Sequence, residues 1–196
     1  MMYLLQKNTF IANGIADKTL RHQLQTEGIE SRRLSRFTQL ALLGALPLKN
    51  HIHTHCGIYL GSPFNSPSKF DKMFHQLNQY NMPSPLDFMA NINNAATFQL
   101  AQYFQTVGNS IFLPINQTTI WHPLQFAELD FINGDIEQAL VGWVLEGNRE
   151  NQTEGAVFWL IAKEKESAVE KLTVFPCQDR ENMENGDFLS IVQQVI

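Results

Sequence analysis

Residues 109–145 read NSIFLPINQTTIWHPLQFAELDFINGDIEQALVGWVL, and this stretch decides the fold. Residues 110–115 form a short apolar run of strand length. Asn116-Gln117-Thr118-Thr119 is polar and supplies the chemistry of a helix start. From 121 to 132, apolar residues fall on nearly every face: Trp121, Leu124, Phe126, Ala127, Leu129, Phe131 and Ile132. A helix that is apolar all round is expected to be buried between layers. Asn133-Gly134 ends it, with Gly134 suited to the left-handed position just past the last turn. Residues 139–145 are a second apolar run. The stretch therefore predicts strand, sharp turn, buried helix and strand, a right-handed βαβ unit.

Towards the N-terminus, residues 2–12 alternate loosely and stop at the turn signal Asn13-Gly14, predicting a first strand. Residues 31–46 predict an amphipathic helix with Leu34, Phe37, Leu40, Ala41 and Ala45 on one stripe and Pro47 as its stop. Residues 51–60 predict a second strand, ending at Gly61-Ser62-Pro63. Ser66 and Pro67 open a short helix with Phe70, Phe74 and Leu77 on one side. Met82-Pro83-Ser84-Pro85 breaks the chain, and residues 86–104 are expected to be helical, at least from Asn94. Towards the C-terminus, residues 155–165 predict another strand. The polar segment 147–154 joins it to 139–145 as a hairpin, so this last strand should run antiparallel to its neighbour.

The chain has 196 residues, 44% of them hydrophobic, which is enough for one domain with a sizeable core. We expect a single domain over 1–196, with 166–196 as an extension packing on it. The net charge of −5 argues against nucleic acid as a partner. No apolar stretch is long enough to span a bilayer, and residues 1–15 lack the pattern of a signal peptide. Two cysteines, Cys56 and Cys177, give no disulfide framework. The expectation is a cytoplasmic globular protein with no cofactor.

The 109–145 unit resembles the nucleophile elbow of the β-ketoacyl synthases. In that family the reactive cysteine follows a central strand and opens a buried helix. The helix ends in Gly-Asp or Gly-Glu before an A-L-x-G-G-type strand, and residues 134–143, GDIEQALVGW, are similar. Counting back from Gly134 by the family's spacing reaches Gln117, flanked by Asn116 and Thr118, so no cysteine stands at the nucleophile position. Glutamine there looks like the chain-length-factor subunits and the glutamine-type loading ketosynthases. Other segments agree in order. Residues 32–38, RRLSRFT, look like the R-R-x-[DS]-x-F segment, and residues 57–62, GIYLGS, like the V-G-V-x-x-G-S strand. Ser84-Pro85, Asn94-Ala95-Ala96 and Glu154-Gly155-Ala156 look like the S-P, N-x-A-A-G and E-G-A segments. Together they cover residues 1–165, and the family members found with aryl-polyene-type enzymes are the nearest in pattern.

The resemblance implies an α/β fold: a single half of a thiolase-like fold, with a five-stranded mixed sheet in the order 3-2-1-4-5 and helices on both faces. The family's two catalytic histidines belong to the second half. The leading expectation is a non-catalytic, chain-length-factor-like subunit, paired as a heterodimer with a full-length ketosynthase in fatty acid or polyketide synthesis of the aryl polyene type. An acyl carrier protein is a further expected partner. The resemblance also implies that Phe88, Met89, Ile92 and Asn93 shape an acyl tunnel. It implies that Ser110, Ile111, Phe112 and Leu113 form the dimer interface. Alternatives are a malonyl-thioester decarboxylase acting at Gln117 and a stand-alone binding or assembly protein.

Each candidate residue carries a second reading. Gln117 is either a replaced nucleophile or an ordinary polar helix cap; glutamine has no thiolate chemistry. His122 either reaches a substrate channel or caps and packs the helix start. Phe88, Met89 and Ile92 either close a tunnel or fill core. His51, His53 and His55 alternate, so they share one strand face, which is a solvated entrance rather than a metal site. Cys56 with His55 or His122 is not expected to form a catalytic pair, and Cys177 sits in a polar tail. Arg32, Arg33 and Arg36 form a basic cluster, either touching a carrier protein or salt-bridged at a helix start.

Overall fold

A computed structural model describes residues 2–82, 84–116, 118–148, 153–163 and 170–172. The sheet is built from continuous apolar runs. β2 (Cys56–Ser62), β4 (Gln138–Leu145) and β5 (Gly155–Ala162) are buried along almost their whole length, as strands covered on both faces must be. β3 (Ser110–Pro114) pairs parallel with β2, and β2 pairs parallel with β4. β5 runs antiparallel to β4, as the hairpin pattern predicts.

β1 (Met2–Ile11) lies antiparallel against the far side of β5, and the short β6 (Glu170–Leu172) pairs antiparallel with β1. The order is β3-β2-β4-β5-β1-β6. This corrects the expected 3-2-1-4-5: β2 meets β4 directly, and β1 stands outside β5. The reason is in β1 itself. Gln6, Lys7 and Asn8 occupy its middle, and its burial only alternates, so it does not suit the centre of a doubly covered sheet.

One face of the sheet carries α1 (Asp17–Thr26), α2 (Arg36–Ala45) and α5 (Ala95–Phe104), closing a core that includes Leu40, Ile58, Leu60, Leu100, Phe112, Leu140 and Phe158. α2 is buried from Phe37 through Ala45, on every side. The other face carries α6 (His122–Asn133) over Tyr59, Trp143, Val157 and Trp159. The expectation of an all-buried α6 is therefore corrected. Pro123, Leu124, Ala127 and Phe131 face the sheet, while Phe126, Leu129 and Ile132 are exposed among the described residues. α2 has helices beyond it and α6 has none among the described residues; that difference in cover decides which apolar helix becomes core.

α3 (Pro67–Tyr80) and α4 (Pro85–Ala90) are inserted between β2 and α5. α5 matches the part of 86–104 expected to be helical from Asn94; the part before it is the separate helix α4, with a turn at 91–94 between them. The face of α3 with Phe70, Phe74 and Leu77 forms as expected, but it is exposed. The helix expected over 31–46 shortens to α2. A 3-10 helix, Leu46–His51, follows it, and His53 and His55 lie in a loop and turn before β2 begins. The three histidines thus do not share a strand face.

Candidate functional site

β2, β3 and β4 are parallel, so their carboxyl ends gather at one edge of the sheet, where open α/β sheets hold their ligands. The turn from β3 into α6 lies there. Its geometry comes from Asn116, whose Oδ1 accepts the backbone N–H groups of Thr118 at 2.9 Å and Thr119 at 3.1 Å. The two threonine hydroxyls donate to the same oxygen, at 2.8 Å and 3.1 Å. Thr119 Oγ1 in turn accepts the Asn116 N–H at 2.8 Å. An Asn side chain that bonds its own downstream backbone fixes a tight turn without help from elsewhere. Gln117 lies outside the described residues. Thr118 and Thr119 serve the turn; the helix proper opens at His122, with no side-chain cap bond.

Close packing fixes where α6 starts. A Cβ on Gly61 of β2 would stand 2.6 Å from Cγ of Pro123, so only glycine lets the first turn of α6 approach the strand. Ile115 N–H reaches Ser62 C=O at 3.0 Å, and Trp143 Nε1 donates to Ile120 C=O at 2.7 Å. Trp121, Trp143 and Trp159 pack edge to face or tilted beneath the turn, with centroids 4.9–6.0 Å apart. His122 is half-buried beside this turn. At the far end, Gly134 takes the left-handed conformation (φ 80°) as the sequence predicts. Tyr59 donates to Asp130, which also accepts from Asn109 Nδ2 at 2.7 Å, clamping α6 over β2. Burial, then the hydrogen bond to Asp130 and the charge of that carboxylate, push the Tyr59 hydroxyl well above the usual tyrosine range.

Buried charge holds the neighbouring loops at the same edge. Glu146, fully buried after β4, accepts the N–H of Phe37 at 2.7 Å, the Ser66 hydroxyl at 2.8 Å and the N–H of Ser68 at 3.0 Å. It thereby caps both α2 and α3, and Ser66 donates to Glu146 instead of capping α3 with its own side chain. Arg36 pairs through two nitrogens with Glu154, joining the RRLSRFT and EGA segments that sequence reading set apart. The hydrogen bond that Arg36 donates to Glu154 raises its guanidinium further. Arg36 therefore belongs to an ion pair, while Arg32 and Arg33 are exposed. Sequence reasoning missed Glu146. Its one visible signal is an acidic residue directly after a fully apolar strand.

Phe88 and Met89 lie on α4 and Ile92 and Asn93 in the turn after it; all four are exposed, so they are not core of this chain. α4 is anchored by buried Asp87, which binds Lys69 at 3.0 Å and Lys72 at 2.8 Å, and by Asn65 Nδ2, 3.0 Å from Asn91 C=O. β3 is one of the two edge strands among the described residues. The ladder bonds Ile58 N–H to Asn109 C=O and Ile115 N–H to Ser62 C=O direct residues 109, 111, 113 and 115 at β2. The backbone groups of Ser110 and Phe112 consequently point outward. The Phe112 ring itself turns into the core, 6.0 Å from Phe37. Ile111 and Leu113 are half-buried on the α6 side. Cys56 is buried at the opposite end of β2, and burial pushes its thiol up to about 12, so it is no nucleophile. Cys177 lies outside the described residues. Among the described residues no helix is long and apolar enough to cross a membrane, and no group of three His, Cys, Asp or Glu side chains is placed to hold a metal ion.

No family model and no curated protein matches the sequence. Solved structures do. The ishigamide ketosynthase/chain length factor superposes with a TM-score of 0.65 at 12% identity, covering 86% of this chain and 63% of that one. The complex AntDE:AntF, a type II polyketide synthase acyl-carrier protein with its ketosynthase, gives 0.64 at 14% identity, over 84% and 62%. The ketosynthase ApeO in complex with its chain length factor ApeC, from Xenorhabdus doucetiae, gives 0.61 at 14% identity, over 83% and 79%. The chain thus spans less than two thirds of the length of the first two. Over more than four fifths of its own length, it carries the thiolase-like α/β fold of ketosynthases and chain length factors.

Proposed function

We propose that the chain is a non-catalytic, chain-length-factor-like subunit that pairs with a ketosynthase in polyketide or fatty acid synthesis, of the aryl polyene type. The observation that carries this is the pairing of an open β3 edge with exposed apolar side chains at α4. Outward N–H and C=O groups on an uncharged strand are what strand pairing with a partner uses, and what a monomer avoids. Phe88, Met89 and Ile92 are large, apolar and exposed, and are available to enter a partner's acyl tunnel, with Asn93 at its rim. Gln117 leaves the subunit without a nucleophile, so condensation belongs to the partner, and an acyl carrier protein delivers the chain to the pair.

The test is co-purification with a ketosynthase encoded nearby, using Ser110→Pro. Proline at the first residue of an edge strand spares the inner ladder while removing one outward N–H and adding bulk to the edge. The variant should fold and lose the complex. Wild-type affinity in folded Ser110→Pro would remove β3 from the interface. Phe112 is the wrong probe, because a charge there enters this chain's own core.

A further inference from the structure

α3 and α4 form an arm that gives almost nothing to the core. α3 buries none of its residues, and α4 buries only Asp87. Polar bonds hold the pair instead. Glu146 fixes the start of α3 through Ser66 and Ser68, and Asn65 Nδ2 fixes the end of α4 at Asn91 C=O. Lys69 and Lys72, early in α3, bind Asp87, while Gln76, a turn later, accepts the N–H of Ser84 at 3.2 Å. Later residues of α3 thus meet earlier residues of the α4 segment, so the two helices run antiparallel. Helices in proteins are normally held by burying an apolar face. This pair is held by ions and amides, and its apolar face is left in water.

The antiparallel packing decides which side chains share a flank. At about 100° per residue, Phe70, Phe74 and Leu77 lie a quarter-turn round α3 from the line of Lys69 and Gln76 that faces α4. Phe88 lies the same quarter-turn round α4 from Asp87. Between antiparallel right-handed helices, equal steps fall on the same side. Phe88 therefore continues the α3 stripe, in which the Phe70 and Phe74 rings stack with centroids 6.2 Å apart. These four side chains are uncharged and 44–55% exposed. Half of a large apolar side chain is roughly 90 Å², so the flank leaves about 350 Å² of apolar surface in water. That is nearly half of the roughly 800 Å² that one partner brings to a stable interface. Met89, Ile92 and the open β3 edge add to it.

The occupant follows from Phe88. A partner whose tunnel receives Phe88 must also meet the side chains beside it on the flank. A membrane surface does not fit, because a helix lying on one carries Lys and Arg opposite its apolar stripe. Opposite this stripe stand Asp71, His75 and Gln79, and Lys72 is held by Asp87. We propose that the ketosynthase covers Phe70, Phe74 and Leu77, so that α3 is a docking helix that grips the partner while α4 enters its tunnel. This rests on the pairing proposed above.

The experiment measures affinity for the ketosynthase encoded nearby with wild type, Phe74→Asp, Gln79→Asp and Ser110→Pro, and the urea midpoint of each chain alone. Because α3 buries none of its residues, Phe74→Asp should keep the wild-type midpoint and lose affinity by about a hundredfold or more. Gln79→Asp puts the same charge on the opposite flank and should bind as wild type. In wild type, the amides of α3 should exchange more slowly by roughly tenfold once the ketosynthase is added. Wild-type affinity in Phe74→Asp, with the complex lost in Ser110→Pro, overturns the docking helix and leaves the pairing standing. No binding by the wild-type chain removes the pairing and the docking helix together. An equal loss in Gln79→Asp overturns the proposal, since charge and not the flank then decides. So does a dimer of this chain alone that Phe74→Asp dissociates, which makes a second copy the cover.

Discussion

The carboxylate of Glu146 accepts the backbone N–H of Phe37 at 2.7 Å, tying the end of β4 to the first turn of α2 across 109 residues of sequence. The same group takes the Ser66 hydroxyl and the Ser68 N–H, so one buried anion satisfies three donors. Such a charge persists out of water only when its oxygens are filled by donors. Glu146→Ala strands all three, and each unsatisfied buried group costs about 1–3 kcal/mol. We expect a total loss of about 3–5 kcal/mol by urea unfolding. Glu146→Gln sets an NH2 group against donors and should be clearly destabilised too. A loss below about 1 kcal/mol for Glu146→Ala would mean that these caps are replaced by water.

Asp87 gives a pH signature. Burial alone would raise its carboxyl, but the hydrogen bonds from Lys72 and Lys69, with their charges, outweigh it and hold it below the ordinary carboxylate range. A folded-state value below the unfolded one means that the stabilisation is fully present above the unfolded value, about 3.9, and is lost as pH falls through the folded value. The urea midpoint of the wild type should therefore exceed that of Asp87→Asn at pH 7, and the gap should close below about pH 4. A gap independent of pH would assign the difference to packing.

The thiol of Cys56, raised by burial to about 12, should stay protonated and unreactive in the folded chain. In Cys177→Ser, a thiol reagent at pH 8 should label nothing until urea unfolds the protein, and then one sulfur. Labelling faster than unfolding would show an opening at the start of β2.

β2, β4, β5 and the Gly134 cap were legible because each is written locally, in an unbroken apolar run or a single glycine. The place of β1 was not. Alternation says that a strand has one wet face but not which strand it pairs with; Gln6, Lys7 and Asn8 were the clue that it lies outside. The burial of α2 and the exposure of α6 exchanged roles because composition counts apolar residues and not the layers available to cover them. At the site, the sharp turn after β3 was readable from Asn116, Thr118 and Thr119, but the helix cap expected of them was not formed, since α6 opens at His122 with no side-chain cap. Glu146 was not readable, since its partners lie 78, 80 and 109 residues away.

Product chain length should respond to the side chains of α4. Phe88 is 55% exposed and Ile92 39%, so truncating either creates no cavity in this chain, and surface changes of this kind typically shift stability by about 0.5 kcal/mol or less. Phe88→Ala and Ile92→Ala should thus fold and pair normally, which makes their effect on products interpretable. Ser84 caps α4, and Asp87 with its two lysines pins it, so the side chains project from a fixed platform. If the platform closes the floor of a partner's tunnel, removing Phe88 opens dry space, where each further buried methylene gains about 0.8 kcal/mol. Met89 adapts its shape and should matter less. Mass spectrometry of products from the reconstituted pair should show chains longer by one or two extension cycles for Phe88→Ala or Ile92→Ala. Unchanged lengths in both variants, with the complex intact, would move the gate away from α4 and leave its apolar face as contact surface only.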